Sequence, residues 1–238
     1  MSQILKSEPS PALSKSRKSE IRDYIKAGVA EQKTFPRLIF GMDATASRQP
    51  TWDLAAKLQA DMFAEAAAVG GLSMQLVFYC GNDECRASKW FTSGAALTET
   101  MTKIMCRSGG TQINCILKHT LNQALTSISP IRALVFVGDC FEEEDKTAEI
   151  FDLATALGRQ DLRAFMFQDQ SEPPGLYFPQ AKAAFQKIAE LTGGIYARFD
   201  ANSAAQLGRL LRGAAAYAAG KPDGLVELQK VAGLLASK

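Results

Sequence analysis

The feature that most constrains the fold is a continuous apolar run, Ala133 to Val137, which lies between Pro130 and the pair Gly138-Asp139. A run this short that is apolar at every position is typical of a strand buried on both faces of a parallel sheet. Parallel neighbours need long crossover connections, and stretches with helical periodicity flank this run along the chain. The sequence therefore predicts an α/β protein.

The same alternation of apolar runs and helical stretches extends across most of the chain. The predicted strands are 38–40, 72–79, 85–91, 133–137, 162–167 and 195–199, and the predicted helices are 51–69, 95–106, 113–128, 145–157, 181–191, 201–219 and one after Pro222. A turn at 80–84 predicts that the third strand returns antiparallel at an edge. We expect a doubly wound, mostly parallel central sheet with one antiparallel edge strand and helices on both faces.

Three regions are predicted from composition and patterning. Residues 1–34 are expected to be a flexible basic tail with a short helix at 19–33, residues 35–220 a single α/β domain, and residues 221–238 a C-terminal helix. The most regular helical stripe is in 113–128, where apolar side chains recur every three or four residues. Its members are Ile113, Ile116, Leu117, Thr120, Leu121, Ala124, Leu125 and Ile128.

Charge and cysteine content narrow the functional classes. The chain has 27 Lys and Arg against 25 Asp and Glu, and because 7 of these cations and 4 of the acids lie in residues 1–33, 20 cations and 21 anions remain. A nearly neutral domain argues against nucleic acid as a specific partner. Five cysteines without a Cys-x-x-Cys pair are expected to be reduced thiols. Without an apolar leader or a predicted membrane span, we expect a cytoplasmic location.

Polar segments follow two predicted strands and precede the most regular helix. Asp43, Thr45 and Ser47 come directly after the first strand, Thr111 lies in a Ser-Gly-Gly-Thr loop, and Asp139 ends the run at 133–137. In an open α/β sheet, ligands bind beyond the carboxyl ends of the strands. Two carboxylates and three hydroxyls are hard oxygen donors, which suit Mg²⁺, with Mn²⁺ or Ca²⁺ as alternatives, and do not suit zinc.

This set of motifs resembles the von Willebrand factor type A (VWA) domain and its metal-ion-dependent adhesion site (MIDAS), over about residues 35–220. Asp43, Thr45 and Ser47 match the Asp-x-Ser-x-Ser motif of the family, Thr111 its loop threonine and Asp139 its second aspartate. The chain departs from the family in two places. Thr45 replaces the commoner serine, and Cys140 stands where glycine is frequent.

The resemblance implies a role in protein binding rather than catalysis. In this family the metal leaves one coordination position for an acidic side chain of a partner protein, and neutral hydroxyl ligands keep the cation electrophilic toward that carboxylate. Intracellular members often act as adaptors or scaffolds beside ATPases, so the resemblance suggests a partner within an ATPase complex.

Two other functions compete with this interpretation. Asp43 at a strand end is also where aspartate-based phosphoryl-transfer enzymes place their nucleophile, but such sites have a second aspartate two residues on, where this chain has Thr45. Alternatively, Asp43 caps a helix, Thr45 and Ser47 satisfy turn backbone groups, and the domain is structural with an empty site.

Two further clusters attract attention. Cys115 and His119 are spaced i and i+4 on the helix at 113–128. This spacing would allow them to act as a thiolate and its base, or as two metal ligands. We expect instead that they belong to a solvated polar face. Residues 139–145 contain five acids, which are expected to cap the helix that follows. They also disfavour a strongly acidic partner, so we expect one with a single acidic anchor and basic surroundings.

Overall fold

The computed structural model describes residues 35–67, 71–170, 179–199, 204–221 and 223–236. The strands are β1 (Arg37–Asp43), β2 (Ser73–Cys80), β3 (Glu84–Phe91), β4 (Ile131–Gly138), β5 (Arg163–Asp169) and β6 (Ile195–Phe199). The helices are α1 (Gln49–Ala67), α2 (Gly94–Met101), α3 (Ile113–Thr126), α4 (Thr147–Arg159), α5 (Pro179–Leu191), α6 (Ala204–Ala218) and α7 (Gly224–Ala236). The predicted tail and its short helix lie outside the described residues.

The strands form one sheet in the order β3-β2-β1-β4-β5-β6. All neighbouring pairs are parallel except β2 and β3, which are antiparallel. The predicted α/β sheet with one antiparallel edge strand is therefore confirmed. Because the chain runs from β1 outward to β2 and later returns to β4 on the other side of β1, the strand order reverses between β1 and β4. This is the position at which open α/β sheets leave a crevice for ligands.

The helices cover the two faces of the sheet and bury separate apolar clusters. On one face, Phe40 of β1 belongs to the cluster that contains Trp52 of α1, Leu210 of α6 and Leu228 of α7. On the other face, Ile39 belongs to the cluster formed with α3, α4 and α5. Adjacent residues of β1 thus point to opposite faces, as the pleat of a strand requires. Among the described helices, none is long and apolar enough to cross a membrane.

The predicted ends of α2 and α3 were wrong. α2 ends at Met101 rather than at residue 106. The backbone N–H of Cys106 instead donates to the Gln49 side chain, 3.0 Å away, and that of Arg107 donates to the Ala44 carbonyl at 3.0 Å, so this segment lies across the end of β1. α3 ends at Thr126, and Leu125 and Ile128 are 63% and 99% exposed, outside the stripe assigned to the core.

The expectation that all five cysteines are reduced thiols was also wrong. Cys85 of β3 and Cys115 of α3 form a disulfide, with their Cα atoms 6.5 Å apart and a sequence separation of 30. Cys80, Cys106 and Cys140 are free. The pairing depends on β3 turning back along β2, which places the edge strand beside the first turn of α3.

Candidate functional site

The carboxyl ends of β1 and β4 bring the predicted site residues together. Asp43 is the last residue of β1, and Asp139 directly follows β4, its neighbour in the sheet. The loop before α3 contributes Thr111. All five predicted residues line one open cavity of about 270 Å³, and the rest of its lining consists of Ala46, Ser108, Gly109, Cys140 and Glu142.

Asp43 has one carboxylate oxygen engaged locally and one without a partner. Its Oδ1 accepts a hydrogen bond from the backbone N–H of Thr45 at 2.7 Å, which closes the turn after β1. Its Oδ2 is buried and makes no hydrogen bond of normal geometry, although the buried hydroxyl of Tyr79, on the neighbouring strand β2, is a nearby donor. The Thr45 side chain does not cap the short 3₁₀ turn (Ala46–Arg48) that follows. A purely local role for this motif therefore accounts for one oxygen of Asp43 and leaves the other unexplained.

The electrostatics at Asp43 favour a cationic ligand. Burial, followed by the nearby carboxylate of Asp139, raises the pKa of Asp43 from 3.8 to about 7, although hydrogen bonds from Thr45 and from the Tyr79 hydroxyl oppose the shift. Two carboxylates in a buried cleft resist ionising together because each disfavours the charge of the other. A bound cation would remove this penalty.

Thr111 is fixed by reciprocal hydrogen bonds with Glu142. The backbone N–H of Thr111 donates to Glu142 Oε2 at 2.9 Å, and the backbone N–H of Glu142 donates to Thr111 Oγ1 at 2.8 Å. The hydroxyl oxygen of Thr111 keeps a second lone pair for another donor or a cation. The loop after β4 therefore sets the position of the hydroxyl contributed from the loop before α3.

The neighbouring Glu143 caps α3, an earlier helix than the one that this acidic run was expected to cap. Glu143 Oε2 accepts from the backbone N–H groups of Ile113 and Asn114, which are unsatisfied donors in the first turn of α3. Glu144 and Asp145 do lie in the first turn of the next short helix, as expected. Glu142 and Glu143 instead join two loops that are 30 residues apart.

The loop before α3 also rests closely on the turn between β2 and β3. A Cβ atom at Gly109 would lie 2.0 Å from the carbonyl oxygen of Gly81, so no larger residue fits without moving backbone. The Gln112 side chain donates to the same carbonyl at 3.1 Å, and Arg107 forms an ion pair with Glu84 of β3. These contacts hold the loop over the end of β1.

Arg48 is a site residue that the sequence analysis missed. Its guanidinium is buried, with Nε 3.1 Å from Asp139 Oδ2 and Nη1 2.6 Å from Asp169 Oδ2 at the end of β5. Its Nε also donates to Ser47 Oγ at 3.2 Å. The sequence held two signals for it: Arg48 directly follows the predicted ligand Ser47, and β5, like β1, ends in an aspartate, Asp169.

The cysteine and histidine candidates do not form a site. Cys115 is in the disulfide, and His119 Nε2 lies 2.9 Å from Gln75 Oε1 on β2, so this part of the predicted polar face is half-buried. Asn122 and Thr126, on the same face, are exposed as the prediction of a solvated face requires. Burial lowers the pKa of His119. Burial, with Glu142 and Asp139 adding to it, raises the pKa of Cys140 to about 12, so Cys140 has little thiolate character.

The donor set fits a hard cation better than a soft one. Among the described residues, no three His, Cys, Asp or Glu side chains are grouped so that they could hold a metal by themselves. The cavity has Asp43 and Asp139 with the hydroxyl residues Thr45, Ser47 and Thr111. Such a mixture of two carboxylates and neutral oxygens suits an ion that keeps part of its water shell, as Mg²⁺ does.

Comparison with solved structures identifies the fold. The chain is similar to a von Willebrand factor type A protein from Catenulispora acidiphila (TM-score 0.59, 18% identity, 79% of this chain and 43% of that one). It is similar to proximal thread matrix protein 1 from the mussel byssus with a zinc-occupied MIDAS motif (TM-score 0.59, 14% identity, 84% and 52%). It is also similar to the vWF domain of the pilus tip protein Mfa5 from Porphyromonas gingivalis (TM-score 0.56, 11% identity, 77% and 95%).

These likenesses define the class of the protein. It is a doubly wound α/β domain with a polar cleft at the reversal of strand order, and its fold is VWA-like. No family model and no curated protein sequence matches the chain. The chain spans 43% of the Catenulispora protein and about half, 52%, of the mussel protein.

Proposed function

We propose that this protein is a divalent-cation-dependent protein-binding module, an adaptor or scaffold. Asp43, Thr45, Ser47, Thr111 and Asp139 would hold the cation, and the cation would accept an acidic side chain of the partner. The observation that carries the proposal is Asp43 Oδ2, a buried carboxylate oxygen that makes no hydrogen bond of normal geometry with a described residue, in a side chain that lines the cavity. A buried polar atom of this kind costs free energy unless a ligand satisfies it.

The charge of the donor set supports a role in docking. Two carboxylates would neutralise a divalent cation, and hydroxyl ligands add no further negative charge, so the ion would remain attractive to an incoming carboxylate. Mg²⁺ is the ion we propose, with Mn²⁺ and Ca²⁺ as alternatives that take the same oxygen donors. A similar fold occurs in a protein described as a pilus tip protein, which supports an interaction role.

The cavity rim restricts the partner. Glu142 lines the cavity, and its exposed neighbours Glu144 and Asp145 add negative charge close by. A strongly acidic surface would be repelled, whereas one acidic anchor within basic surroundings complements both the cation and the rim. A subunit of an ATPase complex that presents such a segment is the partner class we propose, in the cytoplasm.

The test is calorimetric titration of MgCl₂ and MnCl₂ into chelator-treated protein. Wild-type protein is expected to bind one ion, and Asp43→Asn and Asp139→Asn are expected to lose binding while they keep a native circular dichroism spectrum. Asp152→Asn, which removes an exposed carboxylate on α4, is the matched control and is expected to bind as wild type does. Binding that survives both site variants would refute the assignment.

We propose binding rather than phosphoryl transfer because Asp139, the second carboxylate of the cavity, is ion-paired with Arg48 and is therefore a poor general base. Hydrolysis of p-nitrophenyl phosphate with Mg²⁺ separates the two functions. We expect no turnover above that of the Asp43→Asn variant. Turnover that depends on Asp43 would favour an enzyme.

A further inference from the structure

We propose that Arg48 is an internal competitor of the cation. Its guanidinium would hold Asp139 in place in the cation-free site and lower the affinity of that site for a divalent ion. This inference rests on the proposed cation-binding function. It adds a residue that sets the affinity for the cation through its contacts with two of the proposed ligands, Asp139 and Ser47.

The contacts of Arg48 place its charge at the proposed ligands. Nε lies 3.1 Å from Asp139 Oδ2 and 3.2 Å from Ser47 Oγ. Both of these residues line the cavity, so a cation that contacts them would be an immediate neighbour of the guanidinium. The guanidinium therefore brings one positive charge to the edge of the proposed site.

A second carboxylate holds the guanidinium in this position. Nη1 of Arg48 lies 2.6 Å from Asp169 Oδ2, and the hydroxyl of Thr51 on α1 donates to the same oxygen. The side chain of Arg48 is only 3% exposed and that of Asp169 is 0% exposed. Because both partners are buried, Arg48 does not reach solvent and is a poor candidate for direct contact with a partner protein. Its charge acts inward, on the site.

Removal of Arg48 and removal of the Asp169 charge should change the affinity for the cation in opposite directions. Arg48 contacts both Asp139 and Asp169, so Asp169 draws part of the guanidinium charge away from the cation site. Removal of the arginine would take a positive charge from beside Asp139, which would tighten cation binding. Removal of the Asp169 charge would leave more of the guanidinium charge acting on Asp139, which would weaken binding. A merely structural role predicts instead that both variants bind less well.

The experiment titrates MnCl₂ into the chelator-treated full chain as wild type, Arg48→Gln, Arg48→Lys, Asp169→Asn and the control Asp152→Asn. Removal of a whole charge beside the site is expected to tighten Mn²⁺ binding by Arg48→Gln by about tenfold or more. Arg48→Lys keeps the charge and is expected to remain within about threefold of wild type. Asp169→Asn is expected to bind more weakly than wild type, while Asp152→Asn is unchanged.

A second measurement reports on the cation-free state. Thermal unfolding in chelator is expected to occur at a lower temperature in Arg48→Gln than in wild type, and Mn²⁺ is expected to raise the midpoint more in the variant than in wild type. The reason is that, in the variant, Mn²⁺ supplies the positive charge beside Asp139 that Arg48 supplies in wild type.

The outcomes separate the two proposals. If wild type binds Mn²⁺ and Arg48→Gln binds it more weakly, the competitor role is overturned and the proposed function stands. If neither wild type nor Arg48→Gln binds Mn²⁺, the proposed cation site fails and this inference fails with it. If Arg48→Gln does not fold, Asp169→Asn decides, because binding as tight as that of wild type or tighter overturns the competitor role.

Discussion

The carboxylate of Glu143 accepts a hydrogen bond from the backbone N–H of Asn114, 3.2 Å away, and so joins the loop after β4 to the start of α3. The backbone N–H of Ile113 donates to the same oxygen. These two residues immediately follow the turn that presents Thr111. The helix cap is therefore also a support of the candidate site, and its removal should affect both.

Glu143→Ala is expected to lower the free energy of unfolding by about 1–2 kcal/mol, because two N–H groups at the start of α3 lose their acceptor. Chemical denaturation monitored by circular dichroism measures this change. Glu144→Ala, which removes the exposed neighbouring carboxylate, is the matched control and is expected to stay within about 0.5 kcal/mol of wild type. Equal effects of the two variants would show that the cap contributes little.

Gly109→Ala should displace the loop before α3. The added Cβ would lie 2.0 Å from the Gly81 carbonyl oxygen, so backbone must move. We expect a loss of stability of about 1–3 kcal/mol together with weaker Mn²⁺ binding, because Thr111 moves with the loop. Gly110→Ala is the control, since its Cβ would meet only Glu142 Oε2 at 3.4 Å. If Gly109→Ala binds Mn²⁺ as tightly as wild type does, the position of this loop does not affect the site.

Stability in chelator should fall as the pH rises through neutrality. The folded-state pKa of Asp43, about 7, lies above its ordinary value of 3.8. Protonation of Asp43 therefore stabilises the fold fully below pH 3.8, and this stabilisation is lost as the pH rises to the folded-state pKa. Thermal unfolding between about pH 5 and pH 8 is expected to show a smaller decline in Asp43→Asn than in wild type. Mn²⁺ should raise the midpoint more at the higher pH, because a proton competes with the cation at the lower pH.

The control for the pH series is Asp152→Asn, which is expected to follow the wild-type curve. A wild-type decline that persists unchanged in Asp43→Asn would assign the pH dependence to other groups. A stabilisation by Mn²⁺ that is independent of pH would contradict competition between the proton and the cation.

A thiol count distinguishes the disulfide from the reduced state predicted by the sequence. Protein purified without reductant and then unfolded is expected to expose three reactive thiols, those of Cys80, Cys106 and Cys140. After reduction, we expect all five cysteines to react. Closure of a loop over 30 positions stabilises by about 2–4 kcal/mol in the chain-entropy model, so reduction should lower the unfolding midpoint.

Cys115→Ser should show four thiols without reductant and a stability that reductant does not change. Five reactive thiols in unreduced wild-type protein would contradict the disulfide and support the reduced state that the sequence alone predicts.

The course of the chain was readable from local patterns. The strand at 195–199 and the start of α3 at Ile113 lie where the sequence predicts them, because the alternation of apolar residues records which side of an element is buried. The end of α2 was not readable in this way. That helix stops at Met101 because Cys106 and Arg107 donate to groups of Gln49 and Ala44, which are distant in sequence.

The sequence by itself determined the fold class and the oxygen-donor character of the candidate site, since strand ends and the residues that follow them are local properties of the chain. Only the tertiary structure decided which charges face these residues. Arg48 and Asp169 are 121 positions apart, and Cys85 and Cys115 are 30 apart, so both pairs depend on the order of strands in the sheet. Hydrophobic periodicity fixes which face of an element is buried. A buried ion pair or a disulfide also requires two particular side chains to be adjacent in space, and the strand order of the folded sheet determines which side chains are adjacent.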